Sequence, residues 1–170
     1  GLTNDNTPVL SGTAEPGSTV TVRDGDNVLG TVTVGSNGSW NFTSPALSEG
    51  SHSLTTTVTD AAGNTGVASS PITFTVDSTP PAAVSGLVVT DNVGNEQGAL
   101  TSGATTDDNT PTLSGTGEPN AQLSIYDGTT LLGNALVGSD GSWSFTTPAL
   151  SNGSHTFTVT ATDAAGNVSP

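Results

Sequence analysis

The sequence predicts an all-β protein built as two β-sandwiches in tandem. Three observations carry that prediction: apolar residues alternate with period two in short runs, no run has helical periodicity, and one block of sequence is written twice. Val20 and Val22, Val32 and Val34, Trp40 and Phe42, and Leu54 and Val58 share parity within their runs, with Thr and Ser on the opposite face. Leu123 and Ile125, Trp143 and Phe145, and Phe157, Val159 and Ala161 repeat that pattern. Residues 5–64 align with residues 108–167 at a constant offset of 103, without a gap, and 37 of the 60 positions are identical. A repeat of this length is a whole domain, not a solenoid unit that needs a neighbour to bury its face.

The elements follow in order from local chemistry. In the second block, strands are expected near 84–89, 112–116, 122–126, 131–137, 143–147 and 156–162, and a last strand near 72–76 is visible only in the first block. Glu15-Pro16-Gly17, Asp24-Gly25, Asn37-Gly38, Ser44-Pro45, Glu49-Gly50 and Gly63-Asn64 punctuate the runs as turns. About seven short strands at this spacing predict an immunoglobulin-like sandwich with Greek-key connections. Repeat 1 is expected over residues 1–78, lacking its first strand, and repeat 2 over residues 79–170, lacking its last, like a segment cut from a longer array in mid-register. Trp40 and Trp143 are expected in the two cores. Asp77-Ser78-Thr79-Pro80-Pro81 reads as a short extended linker. Residues 90–109 form a connection long enough to expect a role of its own.

Composition removes several function classes. The chain has 15 acidic residues, one Arg, no Lys and a formal charge of −14. Nucleic acid is excluded as a partner, because phosphate recognition needs a basic stripe. An anionic membrane surface is disfavoured for the same reason, and no apolar run is long enough to insert. Leu, Ile, Val and Phe supply only 35 of 170 residues, so each core is thin, and no cysteine is present to staple it. Catalysis finds little footing. His52 and His155 recur at one repeat position and read as structural, no nucleophile arrangement stands out, and the two Trp alternate with Phe as core residues do.

The acids concentrate at turns. Glu118, Asp140, Asp163 and Asn167 come from alternate loops of the second block, which a sandwich gathers at one pole, and Asp77 approaches from the linker. Glu15, Asp60 and Asn64 are their counterparts in the first block. Asp91, Asn92, Asn95, Glu96, Asp107 and Asp108 could form a second cluster at the opposite pole. Carboxylates crowded together without a cation repel, and an oxygen-only donor set selects Ca²⁺. The competing reading is that Asp and Asn cap their own turns, as Asp24-Gly25 and Asp127-Gly128 are expected to do.

Several motifs in fixed order carry a resemblance over nearly the whole chain. They are Asp107-Asp108-Asn109-Thr110-Pro111-Thr112-Leu113-Ser114-Gly115-Thr116, Glu118-Pro119, Gly141-Ser142-Trp143-Ser144-Phe145, Asp163-Ala164-Ala165-Gly166-Asn167 and the linker Val76-Asp77-Ser78-Thr79-Pro80-Pro81. This set resembles the bacterial immunoglobulin-like repeats of giant Gram-negative surface adhesins, the biofilm-associated and type I-secreted kinds. The resemblance implies an extracellular stalk without enzyme activity, calcium at or near domain junctions, and neighbouring repeats of the same chain as the immediate partners. A host surface or a biofilm-matrix component would be the more distant partner. The rival expectations are that the repeats themselves bind carbohydrate or host protein, or that they are accessory domains of a polysaccharide-degrading enzyme.

Overall fold

A computed structural model describes residues 1–95 and 97–170. The chain divides into two compact units, Gly1–Ser78 and Thr79–Pro170. Among the described residues there are strands, turns and a few isolated bridges, and no helix.

In the first unit, β1 (Leu2–Thr3), β7 (Ile72–Val76), β6 (Gly50–Thr59), β3 (Thr19–Asp24) and β4 (Asn27–Thr33) form one sheet in that order. The facing sheet is the antiparallel pair β2 (Val9–Thr13) and β5 (Ser39–Thr43). Strands β3 and β4 are joined by a tight turn at Asp24–Asn27, where Gly25 has φ +55°, and the pairing shifts register between Val22 and Arg23. Val20, Val22 and Val34 form the buried centre of this unit, with Leu10, Trp40 and Phe42 packed around them. The short β1 runs parallel to β7, an addition that two residues could not announce in the sequence.

The second unit is sheeted differently. Strands β13 (Ser142–Thr146), β10 (Thr112–Thr116), β8 (Ser85–Asp91) and β9 (Gly98–Leu100) form one sheet, and β12 (Thr130–Leu136), β11 (Gln122–Asp127) and β14 (Phe157–Thr162) form the other. Part of the long connection 90–109 is therefore structured: β9 returns antiparallel on β8. Leu113, Leu123, Ile125, Val137, Trp143 and Ala161 make a larger buried core. Fully burying a side chain such as Leu or Ile contributes about 1.5–3 kcal/mol.

Trp143 lies in the core as expected, 4 % exposed, whereas Trp40 is only half-buried. The cause is β8. In the second unit this strand pairs with β10 and covers its side of the sandwich; among the described residues of the first unit no strand does the same for β2.

Glycines inside strands make room for the aromatic rings. A Cβ on Gly30 would stand 2.7 Å from the Phe42 ring, and one on Gly133 would stand 2.8 Å from Phe145. The Gly at the fourth position of β4 and of β12 is thus a packing requirement, since real Cβ contacts are essentially never that short.

Candidate functional site

Glu118 opens a tight turn in which the Ala121 N–H donates to its carbonyl at 3.1 Å. Pro119 stands at the second position and Asn120 at the third with φ +68°, the one non-glycine residue with positive φ among those described. Ser18 N–H and the Glu15 carbonyl close the same turn in the first unit, with Gly17 at φ +81°. This is type II geometry, which favours Pro followed by Gly or Asn. The Glu carboxylates take no part in it and are exposed.

Asp163 holds its loop from inside. Its Oδ1 accepts from the N–H groups of Ala165, Gly166 and Asn167, and its Oδ2 accepts from the Asn167 side chain at 2.8 Å. Asp60 and Asn64 repeat the arrangement. The bond from the Asn side chain, helped by those from the backbone, holds both Asp carboxyls below their ordinary value against an opposing desolvation. Asp140 accepts from Ser142 N–H and Oγ, as Asn37 does from Ser39. The turns do share one end of the second unit. Gly117 N–H donates to the Gly141 carbonyl, and Asn120 and Asp163 line one depression of about 350 Å³. Asp77 is half-buried, and its N–H donates to the Thr3 carbonyl.

The loop after β8 gathers a second group. Asp91 and Asp108 are 3 % and 4 % exposed and are linked through Thr106, whose Oγ1 donates to Asp91 Oδ2 at 2.5 Å and accepts from Asp108 N–H at 3.0 Å. Asp91 Oδ1 also accepts from Val93 N–H. Asp108 accepts from Asn92 N–H and from Thr110 N–H and Oγ1. Burial pushes the Asp108 carboxyl up, but these bonds outweigh it and leave it lowered. Asp107 lies on the surface, with its carboxylate where a Cβ on Gly94 would have to be. Glu96, expected in this cluster, lies outside the described residues.

The donor chemistry here suits a hard cation. Every group is oxygen, Asp91 Oδ1 and Oδ2 and Asp108 Oδ2 each accept one of the hydrogen bonds described, and the second unit contains no Lys or Arg. Among the described residues, however, no three acidic or His side chains converge as a ready cage. A cation at this loop would complete its shell with backbone carbonyls or water.

Two features exceed the sequence reading. Asp24 and Asp127 do more than form turns. Asp24 Oδ2 meets His52 Nδ1 at 2.6 Å, Oδ1 accepts from Ser53 N–H at 2.9 Å, and His52 Nε2 faces the Ser48 carbonyl at 2.8 Å. His155, Asp127, Thr156 and Ser151 repeat this at 2.7, 2.9 and 2.9 Å. Both nitrogens of each ring face acceptors, so only the doubly protonated imidazolium satisfies both. The bond to Asp24 or Asp127, then that to the carbonyl, raises each His above its ordinary value. The constant 28-residue spacing of Asp and His in both copies was the available signal. The second feature is Glu49, whose carboxylate accepts from Ser78 N–H at 3.1 Å and from Ser78 Oγ, tying the end of the first unit to the turn before β6.

Comparison with known proteins places this geometry. No curated protein matches closely enough to count as a relative. Among solved structures, the fibronectin(III)-like modules of CbhA from Clostridium thermocellum are similar with TM-score 0.52 at 16 % identity, covering 99 % of this chain and 83 % of that one. At that identity the likeness is one of fold. The BSP domain of a biofilm-associated protein is 19 % identical with TM-score 0.36, over 99 % of this chain and 27 % of that one, which is too loose a superposition to carry an argument. The sequence profile of the bacterial Ig-like domain matches residues 1–78 and again residues 83–170, and the chain belongs to that family as two tandem members.

Proposed function

We propose that the chain is a pair of extender repeats from a bacterial surface adhesin, secreted and extracellular, that spaces a distal binding region and has no catalytic role. The observation that carries this reading is the duplication itself. Two Ig-like domains keep their inner strands, Trp and Phe positions and turn caps at one offset of 103. Repetition of a whole domain multiplies length; it does not create chemistry.

Calcium is part of the proposal. Asp91, Asp107 and Asp108 would hold it in the second unit, supplying only oxygen donors to a cation that screens their repulsion. The ligand set expected at the linker, Asp77, Glu118, Asp140, Asp163 and Asn167, rests on the sequence, as does its counterpart Glu15, Asp60 and Asn64. Ion binding to the folded state alone stabilises by about 2.7 kcal/mol at a hundredfold excess over Kd. Thermal melts with calcium and with chelator test it. Calcium should raise Tm, and Asp91→Asn with Asp108→Asn should remove the calcium-dependent part of that rise. A Tm indifferent to calcium would leave these acids as turn caps. Small-angle scattering under the same two conditions reads whether calcium also stiffens the chain.

The rival, a carbohydrate-binding module, draws support from the half-buried Trp40. Its counterpart Trp143 is buried once β8 is in place, so the exposure follows from an uncovered edge and not from a shaped platform.

A further inference from the structure

His52 and Glu49 act on one short segment of the first unit. His52 Nε2 lies 2.8 Å from the Ser48 carbonyl. The next residue, Glu49, accepts from the Ser78 N–H at 3.1 Å and from Ser78 Oγ. The segment is two residues long between fixed points. Before it, Leu47 is buried and its N–H donates to the Asn6 carbonyl at 2.7 Å. After it, Gly50 is paired with Val76 in β6. The plane of the Ser48–Glu49 peptide is left to turn, and the bond from His52 fixes it.

The ring can hold that carbonyl in one protonation state only. Its Nδ1 meets Asp24 Oδ2 at 2.6 Å, so the charged ring donates from both nitrogens. When the ring loses a proton, the one that stays is on Nδ1, because a carboxylate is a stronger acceptor than a carbonyl. Nε2 then turns a lone pair toward the Ser48 oxygen. Two acceptors at that distance repel, and the peptide plane turns away. Asp24 keeps its bond from Ser53 N–H throughout. The charged groups on the elements around His52 are Asp24, with Arg23 and Asp26 beside it, Glu49, and the N-terminal amine of Gly1, which lines the same depression. Strand β7 contributes Phe74, with ring centroids 5.9 Å apart, and no charge.

We propose that His52 is a pH-operated latch on the end of the first unit. With the ring charged, it pins the Ser48 carbonyl and thereby seats Glu49 on Ser78; with the ring neutral, the carbonyl is released and Ser78 is unfastened. The bond to Asp24, then that to Ser48, holds the charged form above the ordinary His range, so the latch is closed at mildly acidic pH and opens as pH rises through the His52 midpoint. The second unit carries the same His, Asp and Ser, but Asn152 stands where the first has Glu49. Its histidine can fix a peptide plane without a carboxylate to act through.

The test is nuclear magnetic resonance on the intact chain from about pH 6 to 9, above the ordinary carboxylate range. The His52 ring protons give its midpoint. Protection of the Ser78 amide against solvent exchange, referred to the free-amide rate at each pH, gives the state of the latch. Ser78 protection should fall several-fold at the His52 midpoint, while that of Ser53 stays. Asp24→Asn should lower both midpoints together. Glu49→Ala should leave Ser78 unprotected at every pH with His52 still titrating. Acetylation of the N-terminal amine should leave the Ser78 step in place. Constant Ser78 protection across the His52 titration would overturn the latch. So would a Ser78 step that stays put in Asp24→Asn, one that survives in Glu49→Ala, or one that acetylation abolishes.

Discussion

The two units are near-copies in which a different outer strand is paired among the described residues, and that difference reaches residues that are identical between them. Gly50-Ser51-His52 belongs to β6 because β7 pairs with it, Gly50 opposite Val76 and His52 opposite Phe74. Gly153-Ser154-His155 has the same sequence and lies outside any strand, because β14 begins only at Phe157 and no counterpart of β7 stands beside it among the described residues. The opposite side shows the converse. Leu113 and Trp143 are buried beneath β8, whereas Leu10 and Trp40 are half-covered. Membership of a strand or of a core is here conferred by a neighbour, at fixed local sequence.

The largest effect should come from the tryptophans. Trp143→Ala removes a buried ring and should cost about 3–5 kcal/mol, while Trp40→Ala, from a half-covered site, should cost roughly half of that. Urea unfolding of both variants measures the pair. Equal losses would break the comparison, since they would mean that β8 adds nothing to the packing of the ring.

The strand glycines should matter next. Gly133→Ala forces a Cβ against Phe145, and Gly30→Ala forces one against Phe42, each costing about 1–3 kcal/mol by overpacking. Combining Gly133→Ala with Phe145→Leu should return part of the loss in a double-mutant cycle. Additive losses would show that the clash is relieved elsewhere.

The smallest effect is pH dependence from the two His–Asp pairs. The folded His values lie above the unfolded value of about 6.5, so their contribution is complete below that pH and fades as pH rises through the folded value. Asp24 and Asp127 are lowered: the His155 bond leads at Asp127, and at Asp24 burial opposes bonds from His52 and Ser53 that prevail. Their contribution is complete above about 3.9 and fades as pH falls through the folded value. The pairs therefore stabilise most between about pH 4 and 6.5. Asp24→Asn should flatten the loss of Tm between pH 6 and 9 more than Asp127→Asn, because His52 is buried and His155 only half-buried. Identical profiles for the two variants would remove the difference between the copies.

The sequence made the architecture readable because its signals are local and doubled. Period-two alternation placed β11 and β13 within a residue or so, and turn residues bounded them. The candidate site was less legible. That Asp163 would spend its oxygens on Ala165, Gly166 and Asn167 can be suspected from Asp-Ala-Ala-Gly-Asn, because an Asx turn is local. That Asp91 and Asp108 would meet through Thr106 cannot, because residues 92–107, with β9 among them, lie between them. At Glu118 it is the carbonyl that closes the turn, and the sequence pattern there is set by Pro119 and Asn120.

By itself, then, the sequence determined fold class, repeat period, sign of charge and the turn chemistry, all of which depend on residues within a few positions of one another. Tertiary structure alone decided which of two identical Gly-Ser-His segments is a strand, which tryptophan is buried, and which aspartates share a hydroxyl. The reason is that a sheet satisfies its backbone and buries its face only through the strand beside it, and that strand can lie tens of residues away.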